Sequence, residues 1–160
     1  MRVTVIGIGQ SLRGDDAAGL EAVRRWEGQY GATSARTEVG AQYAELPGLG
    51  LLDLLDGFDA AVIVDAVMSA AAPGTVYRLD LDELDSFGTT SKSAHGWGIA
   101  ETLRLDRQLN PGRKPIRIRL IGIEAEQMEL GRPLSESIER AIPAACEAIE
   151  AEVQAALAGP

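Results

Sequence analysis

The sequence has few of the residues that mark several common protein classes. Its 160 residues include one cysteine, Cys146, and one histidine, His95. A single cysteine excludes an internal disulfide and a cysteine cluster for zinc, and a single histidine excludes the zinc-protease motif HExxH. No apolar run approaches the roughly 20 residues that a transmembrane helix needs. The N-terminal residues MRVTV show no signal-peptide pattern, so we expect a cytoplasmic protein.

Basic residues are also few. Fifteen Lys and Arg residues against 24 Asp and Glu residues give a formal net charge of −9. This charge argues against nucleic acid or an anionic membrane as a partner. Hydrophobic residues make up 46% of the chain, and its length is sufficient for one buried core. We therefore expect residues 1–160 to form a single domain.

Short apolar runs alternate with amphipathic stretches along the chain. Five runs have strand character: RVTVIGIG, TSARTEV, DAAVIVDAV, TVYRLDL and IRIRLIGIE. Helical patterns occupy residues 15–30, 43–58, 99–109 and 133–159, with interruptions at Pro47 and Pro143. This alternation predicts an α/β fold whose mainly parallel sheet is covered on both faces. Sites in such sheets form beyond the carboxyl ends of the strands.

The segment GIGQSLRGDDAAGL leads from the first strand into a helix through two adjacent carboxylates. It is not a dinucleotide fingerprint, because Leu12 stands where a third glycine is required, and it is not a phosphate loop, because Asp15 follows Gly14. Asp15 and Asp16 both suit a helix N-cap. Since only one residue occupies that position, the other is available to face a cleft.

Two further candidates are Asp65 and His95. Asp65 lies in the apolar strand AVIVDAV, where an ionised carboxylate either binds the backbone of a neighbouring loop or belongs to a site. His95 lies among small residues before a helix, whose positive end favours the neutral imidazole that binds metals. The alternative is an ordinary packed or exposed imidazole. Together, Asp16, Asp65 and His95 form a plausible facial set for a divalent cation, although chain spacing alone does not prove that they meet.

Several segments, taken in order, resemble the nickel–iron hydrogenase maturation endopeptidases. GIGQSLRGDDAAG is similar to the opening Gly-x-Gly-Asn-x-Leu-x-x-Asp-Asp/Glu segment of that family, and VIVDAV is similar to its central aspartate strand. SAHGWGIAETL is similar to the Ser/Thr-x-His segment, and PGTVYRL and IGIEAEQMELGRPLSESI match further segments. The resemblance covers nearly the whole chain. It implies a three-layer α/β/α sandwich around a twisted, mostly parallel five-stranded sheet.

The resemblance also implies a function. Members of the family remove the C-terminal extension of the [NiFe]-hydrogenase large-subunit precursor after nickel insertion, and their metal-contacting residues correspond to Asp16, Asp65 and His95. These three residues are therefore the predicted catalytic and metal-contacting set. The nickel is expected to arrive with the substrate, and no organic cofactor is implied. The expected partner is the precursor, and the expected oligomeric state is a monomer.

The chain departs from the family pattern at two segments that concern the substrate. Gln10 replaces the usual Asn of the opening loop, and EVGAQ, with Glu38 and Gly40, stands for an Asp-Gly-Gly-Thr-like turn. Gln10, Glu38 and Gly40 are the predicted substrate-binding residues. In the last segment, Ala125 or Glu126 stands where many members have proline.

The hydrolytic step and the other functional classes stay open at this point. Cleavage proceeds either through polarisation of the scissile carbonyl or of a bound water by the metal, or with Asp16 as a base. The main alternative is a non-enzymatic factor that binds nickel or the precursor, and a nucleotide-binding domain is disfavoured because both glycine motifs are broken. Cys146 is expected to be a buried structural thiol rather than a nucleophile.

Two further features have both structural and functional interpretations. Trp97 is either a pocket wall beside His95 or a residue that packs at a helix start. The basic segment RKPIRIR, residues 113–119, is interpreted as a solvated strand edge, with docking of the precursor as the hypothesis.

Overall fold

Six strands in one hydrogen-bonded sheet organise the part of the chain that the structure describes. The computed structural model describes residues 1–31, 37–45, 47–81, 83, 92–93, 99–112 and 116–159. The strands are β1 (Val3–Ile8), β2 (Val39–Ala44), β3 (Ala60–Met68), β4 (Val76–Asp80), β5 (Lys92–Ser93) and β6 (Arg117–Glu124).

The order of the strands across the sheet is β2-β1-β3-β6-β4. The first four are parallel, β4 pairs antiparallel with β6, and the two-residue β5 pairs antiparallel with the end of β3. The predicted five-stranded, mostly parallel sheet is confirmed, with β5 as an addition. The carboxyl ends of β1, β2, β3 and β6 consequently lie at one edge of the sheet, the carboxyl edge, and the opposite edge is the amino edge.

Helices cover both faces of this sheet. They are α1 (Ala18–Trp26), α2 (Leu51–Leu55), α3 (Ile99–Leu109) and α4 (Glu136–Ala158). α1 and α4 pack together over one face, and α2 and α3 contact each other over the other. The predicted α/β/α layering is confirmed. Within the described ranges, no helix is long and apolar enough to cross a membrane.

The central strand β3 shows why the apolar runs of this sequence are continuous. Ala60, Val62 and Val64 belong to the core under α1 and α4, whereas Ala61 and Ile63 belong to the core under α2 and α3. Alternate residues of a strand face opposite sides of a sheet. Because both sides of this sheet are covered by helices, both sets of residues must be apolar.

Two sequence-based boundaries were wrong. The second strand was expected at residues 33–39, but β2 begins at Val39, and residues 33–36 lie outside the described ranges. The helical pattern at residues 43–58 includes the end of β2, and α2 itself begins only at Leu51, after a 3₁₀ turn at Gly48–Gly50. Gly and Ala in β2 have low strand propensity, so pairing with β1 rather than local preference defines this strand.

The last helix, α4, is not divided at Pro143. It is one helix of 23 residues with Pro143 inside it. Pro143 lies on the exposed side, where water can solvate the carbonyl group that loses its hydrogen bond. Ile142 and Cys146, on the opposite side, are buried in the core, so tertiary packing maintains the helix through the proline.

Candidate active site

Two adjacent buried carboxylates follow β1 at the carboxyl edge. Asp15 and Asp16 lie in a 3₁₀ turn, Gly14–Ala17, that leads directly into α1, and they are 0% and 2% exposed. A Cβ atom at Gly9 would collide with the carbonyl oxygen of Asp16. Glycine at this position therefore allows the end of β1 to pack against the turn that carries the two carboxylates.

Neither carboxylate caps the helix that follows it, so the N-cap interpretation was wrong. Asp15 instead binds the loop that precedes α4. Its Oδ2 atom accepts hydrogen bonds from the backbone N–H groups of Glu126 (2.9 Å) and Gln127 (3.1 Å). Ser135 donates its N–H to Oδ1 (2.6 Å) and its hydroxyl to Oδ2 (2.8 Å). Because Ser135 is the N-cap of α4, Asp15 secures the start of a helix that is distant in sequence.

Backbone hydrogen bonds join the same two loops. They run from Gly14 N to Arg132 O (3.0 Å), from Asp15 N to Gln127 O (2.9 Å) and from Gly131 N to Leu12 O (2.8 Å). Residues 10–16 and 126–135 thus form one connected surface at the carboxyl edge, which we call the two-loop platform. Asp15 therefore holds this platform together, and Asp16 stays the predicted site carboxylate of the pair.

Asp65 lies near the end of β3 and is 4% exposed. Its Oδ1 atom accepts the N–H of Ala66 at 2.9 Å. β1 runs parallel beside β3, with Gly7 opposite Val64, and the 3₁₀ turn that carries Asp16 contacts β3. The structure therefore brings the two predicted aspartates to the same edge, at the ends of neighbouring parallel strands.

His95, the third predicted metal-contacting residue, lies outside the described residues, as does Trp97. Within the described ranges, no three His, Cys, Asp or Glu side chains are grouped closely enough to hold a metal ion. Since His95 is the only histidine of the chain, its membership of the site stays a prediction. Residues 113–115 of the basic segment also lie outside the described part.

The three predicted substrate-binding residues do not lie together. Gln10 follows β1 at the carboxyl edge, where its carbonyl oxygen accepts the N–H of Arg13 (3.2 Å). Glu38 precedes β2 at the amino edge, 3.6 Å from the N-terminal ammonium group of Met1, and Gly40 pairs with Thr4 in the amino half of β1. The resemblance matched EVGAQ to the Asp-Gly-Gly-Thr-like turn of the family. Because β2 begins only at Val39, this turn and its two residues lie away from Asp16 and Asp65.

The residue that follows the carboxyl end of β2 is Glu45. Its Oε1 atom accepts the hydroxyl of Ser11, in the loop after β1, at 2.7 Å. Tyr43, at the end of β2, donates its hydroxyl to Glu27 at 2.6 Å. Burial, and then this hydrogen bond, raises the pKa of Tyr43 to about 12, so its phenol stays protonated at neutral pH. Glu45 thus lies at the carboxyl edge, whereas Glu38 lies at the amino edge.

Glu124, at the end of β6, is a buried carboxylate that the sequence analysis did not identify. It is 1% exposed. Ser69 donates its N–H and its hydroxyl to this carboxylate, both at 2.7 Å, and the Tyr77 hydroxyl lies 3.2 Å away. Through these contacts Glu124 holds the chain that leaves β3 just after Asp65. The signal was available, because Glu124 ends an apolar strand much as Asp65 does.

Cys146 is a buried structural thiol, as the sequence predicts. It is 2% exposed, and its Sγ atom lies 3.5 Å from the carbonyl oxygen of Ala22 in α1. Burial raises the pKa of the Cys146 thiol, and the thiolate is the nucleophilic form of cysteine. Both its position between two helices and its protonation exclude it from the chemistry at the carboxyl edge.

Comparison with protein families identifies the chain's relatives. A family model described as hydrogenase maturation protease matches residues 46–152. The hydrogenase expression/formation protein HupD of Rhizobium leguminosarum bv. viciae is 31% identical over 150 residues, which cover 91% of this chain and 71% of that protein. The hydrogenase 2 maturation protease of Escherichia coli is 29% identical over 160 residues, which cover 96% of this chain and 92% of that protein.

Solved structures with similar folds give the same result. The E. coli hydrogenase maturating endopeptidase HybD aligns with a TM-score of 0.81 at 28% identity, over 98% of this chain and 94% of its own. The [NiFe] hydrogenase maturation protease HybD from Thermococcus kodakarensis aligns with a TM-score of 0.75 at 28% identity, over 94% and 97%. The chain therefore belongs to the hydrogenase maturation protease family and is a peptidase that acts in hydrogenase maturation.

Proposed function

We propose that this peptidase removes the C-terminal extension of a [NiFe]-hydrogenase large-subunit precursor that already carries nickel, and that Asp16, Asp65 and His95 contact that nickel. The observation that carries the proposal is the burial of Asp16 and Asp65 at the ends of neighbouring parallel strands. Carboxylates in such surroundings interact strongly with a cation, because the protein interior screens charge weakly. The nickel is part of the substrate, and the proposal requires no organic cofactor.

The position of β5 supports the inclusion of His95. Ser93 in β5 pairs with Val67, which is two residues beyond Asp65 in β3. His95 is in turn two residues beyond Ser93 in the sequence. Two residues of chain span at most about 7 Å, and this short separation supports the inclusion of His95 in the set.

The donor set fits a cation that brings ligands of its own. Imidazole nitrogen is a common ligand of nickel, and carboxylate oxygen adds negative charge to the site. One imidazole and two carboxylates leave coordination positions for groups of the precursor. In this arrangement only a nickel-loaded precursor would bind with its scissile bond correctly positioned. The three side chains would orient that bond for attack by water.

The two hydrolytic routes assign different tasks to Asp16. In both, the oxygen of water bonds to the carbonyl carbon and the C–N bond breaks, which leaves a carboxylate on one product and an amine on the other. Asp16→Asn is expected to impair cleavage by either route. If Asp16 contacts the nickel, Asp16→Asn also loses nickel-dependent binding of the precursor. If Asp16 acts only as a base, Asp16→Asn retains that binding.

The first test is intact-mass analysis of a nickel-loaded large-subunit precursor from the same source after incubation with this protein. We expect loss of a short C-terminal peptide with the loaded precursor, no loss with a nickel-free precursor, and no loss with His95→Ala. Glu38→Ala serves as a control, because Glu38 is exposed at the amino edge, and it is expected to retain cleavage. Equal cleavage of the nickel-free precursor would contradict recognition through nickel, and binding without cleavage would indicate the non-enzymatic factor.

We also propose that the protein acts in the cytoplasm as a monomer. Light scattering of the purified protein tests the oligomeric state, and detection of the tagged chain in cell fractions tests the location.

A further inference from the structure

The exposed apolar side chains of this protein are concentrated at one edge of the sheet. Within the described ranges, eight large hydrophobic side chains are exposed, and five of them lie at the ends of parallel strands or in the loops that follow: Leu12, Tyr43, Leu49, Met68 and Leu130. Single exposed hydrophobic residues are ordinary. A group of them around two buried carboxylates is typical of a surface that contacts another polypeptide.

Leu12 and Leu130 are the most exposed of these residues, at 72% and 77%. They come from the two loops of the platform, the first after β1 and the second after β6. The hydrogen bond from Gly131 N to Leu12 O, 2.8 Å long, holds the two backbones side by side. Two separate segments of the chain therefore present a large apolar side chain at the same place.

The platform beneath these leucines is held rigidly. Asp15 is completely buried, and its carboxylate receives hydrogen bonds from Glu126, Gln127 and Ser135. Loop ordering is normally a cost of binding, and a surface that is already ordered avoids it. Both leucines are thus exposed on loops whose backbones are held by hydrogen bonds. This arrangement favours a role in binding.

We propose that Leu12 and Leu130 form a docking surface for an apolar segment of the precursor polypeptide near the bond that is cut. This inference rests on the proposed function, because it names the part of the substrate that the same site takes. The precursor is the expected binding partner of this surface because the surface adjoins the proposed site: Leu12 is four residues before Asp16 in the same loop. Asp16 itself belongs to the platform, so a polypeptide bound at Asp16 lies beside it, and an apolar segment of that polypeptide would bury both leucines.

The test uses Leu12→Ser, Leu130→Ser and the double variant in the precursor-cleavage reaction, with kcat and KM measured from intact-mass time courses. Burial of one leucine side chain corresponds to about tenfold in affinity. We therefore expect each single variant to raise KM about tenfold and the double variant to raise it further, while kcat stays within about twofold. Leu109→Ser is the matched control, because Leu109 is 67% exposed at the far end of α3, and its KM is expected to be unchanged.

The outcomes separate this inference from the proposed function. A KM of the double variant within twofold of the wild-type value, with cleavage intact, overturns the docking surface and leaves the proposed function standing. If the wild type does not cleave, calorimetry with the same precursor decides: binding that the double variant weakens at least tenfold supports the docking surface, and no binding overturns both. A wild-type dimer that the double variant converts to a monomer with unchanged KM would assign the leucines to a second copy of this chain and overturn the inference.

Discussion

The buried carboxylates of this protein fall into two groups with different partners. Among the described residues, Asp15, Asp16, Asp65 and Glu124 are buried at the carboxyl edge, and Glu152 is buried on α4 toward the amino edge. Glu152 accepts two hydrogen bonds from Arg78, at 2.7 and 2.9 Å, and lies 3.5 Å from Arg119. Its charge is neutralised by cations of the protein itself.

The carboxyl edge is organised differently. Asp15 and Glu124 are bound by backbone N–H groups and by the hydroxyls of Ser135, Ser69 and Tyr77, all of which are neutral donors. Neutral donors stabilise a carboxylate without cancelling its charge. Within the described ranges, Asp15 and Glu124 are therefore held by neutral groups and not by cationic side chains, which suits an edge that receives a cation from outside. At the amino edge, by contrast, the buried carboxylate of Glu152 joins α4 to β4 and β6 through Arg78 and Arg119.

The largest effect is expected for Asp65→Asn. Asparagine keeps an oxygen that can accept the N–H of Ala66, so the free energy of unfolding is expected to change little. Loss of the charge is expected to lower the rate of precursor cleavage by about 10²- to 10³-fold. The comparison fails if Asp65→Asn retains more than a tenth of the wild-type rate in the intact-mass assay, or if Glu152→Gln impairs cleavage as severely.

Asp15→Ala is expected to affect stability most strongly. The change leaves the N–H groups of Glu126, Gln127 and Ser135 without their acceptor in a buried place, which costs about 3 kcal/mol of the free energy of unfolding. Urea denaturation measures this loss. Asp53→Ala, at an exposed position of α2, serves as the control with a small effect. A loss below 1 kcal/mol for Asp15→Ala would show that the platform does not depend on this carboxylate.

A smaller effect is expected for Glu152→Gln. The side chains of Arg78 and Arg119 are 53% and 51% exposed, so solvent screens the pairs, and the loss of stability is expected to be about 1 kcal/mol and to shrink in high salt. Glu124→Gln is the matched variant at the carboxyl edge, where no cation is lost and the amide can still bond Ser69 and Tyr77. It is expected to leave stability unchanged or slightly higher. Equal, salt-dependent losses in both variants would remove the distinction between the two edges.

The smallest effect on cleavage is expected for Cys146→Ala. This variant tests whether the chemistry takes place at the carboxyl edge and not at the buried thiol. The cleavage rate is expected to stay within about twofold of wild type, because the thiol lies between α1 and α4. Since burial raises its pKa, the thiol stays protonated at pH values where a free cysteine begins to ionise, and the native protein is expected to resist alkylation at pH 8. Rapid alkylation of the native chain, or a loss of cleavage in the variant, would contradict this assignment.

The strongly patterned elements were predictable from the sequence. β3 and β6 were predicted within one residue of their ends, and α3 was predicted at the residues where it occurs. β2 was misplaced because its residues have weak strand preference, and pairing with β1 defines it. Glu38 and Gly40, which the resemblance to the family implied as substrate-binding residues, lie beside Met1 and Thr4 toward the amino edge of this sheet.

The roles of the two adjacent aspartates were not predictable in the same way. The partners of Asp15 are 111 to 120 residues away in the chain. No local pattern contains that information, because it depends on which loop the strand order brings beside the end of β1. The partners of Glu124 at Ser69 and Tyr77, 47 to 55 residues away, were hidden for the same reason.

The sequence by itself determined the parallel sheet, the glycine-lined exit from β1 and the presence of aspartates at the ends of β1 and β3. Hydrophobic periodicity and the steric demands of glycine are local properties, and they can be read along the chain. Only the tertiary structure decided that Asp15 holds two loops together and that Leu12 lies beside Gly131. These relations are hydrogen bonds between distant segments, and such bonds exist only once the order of the strands has brought β1 and β6 to the same edge.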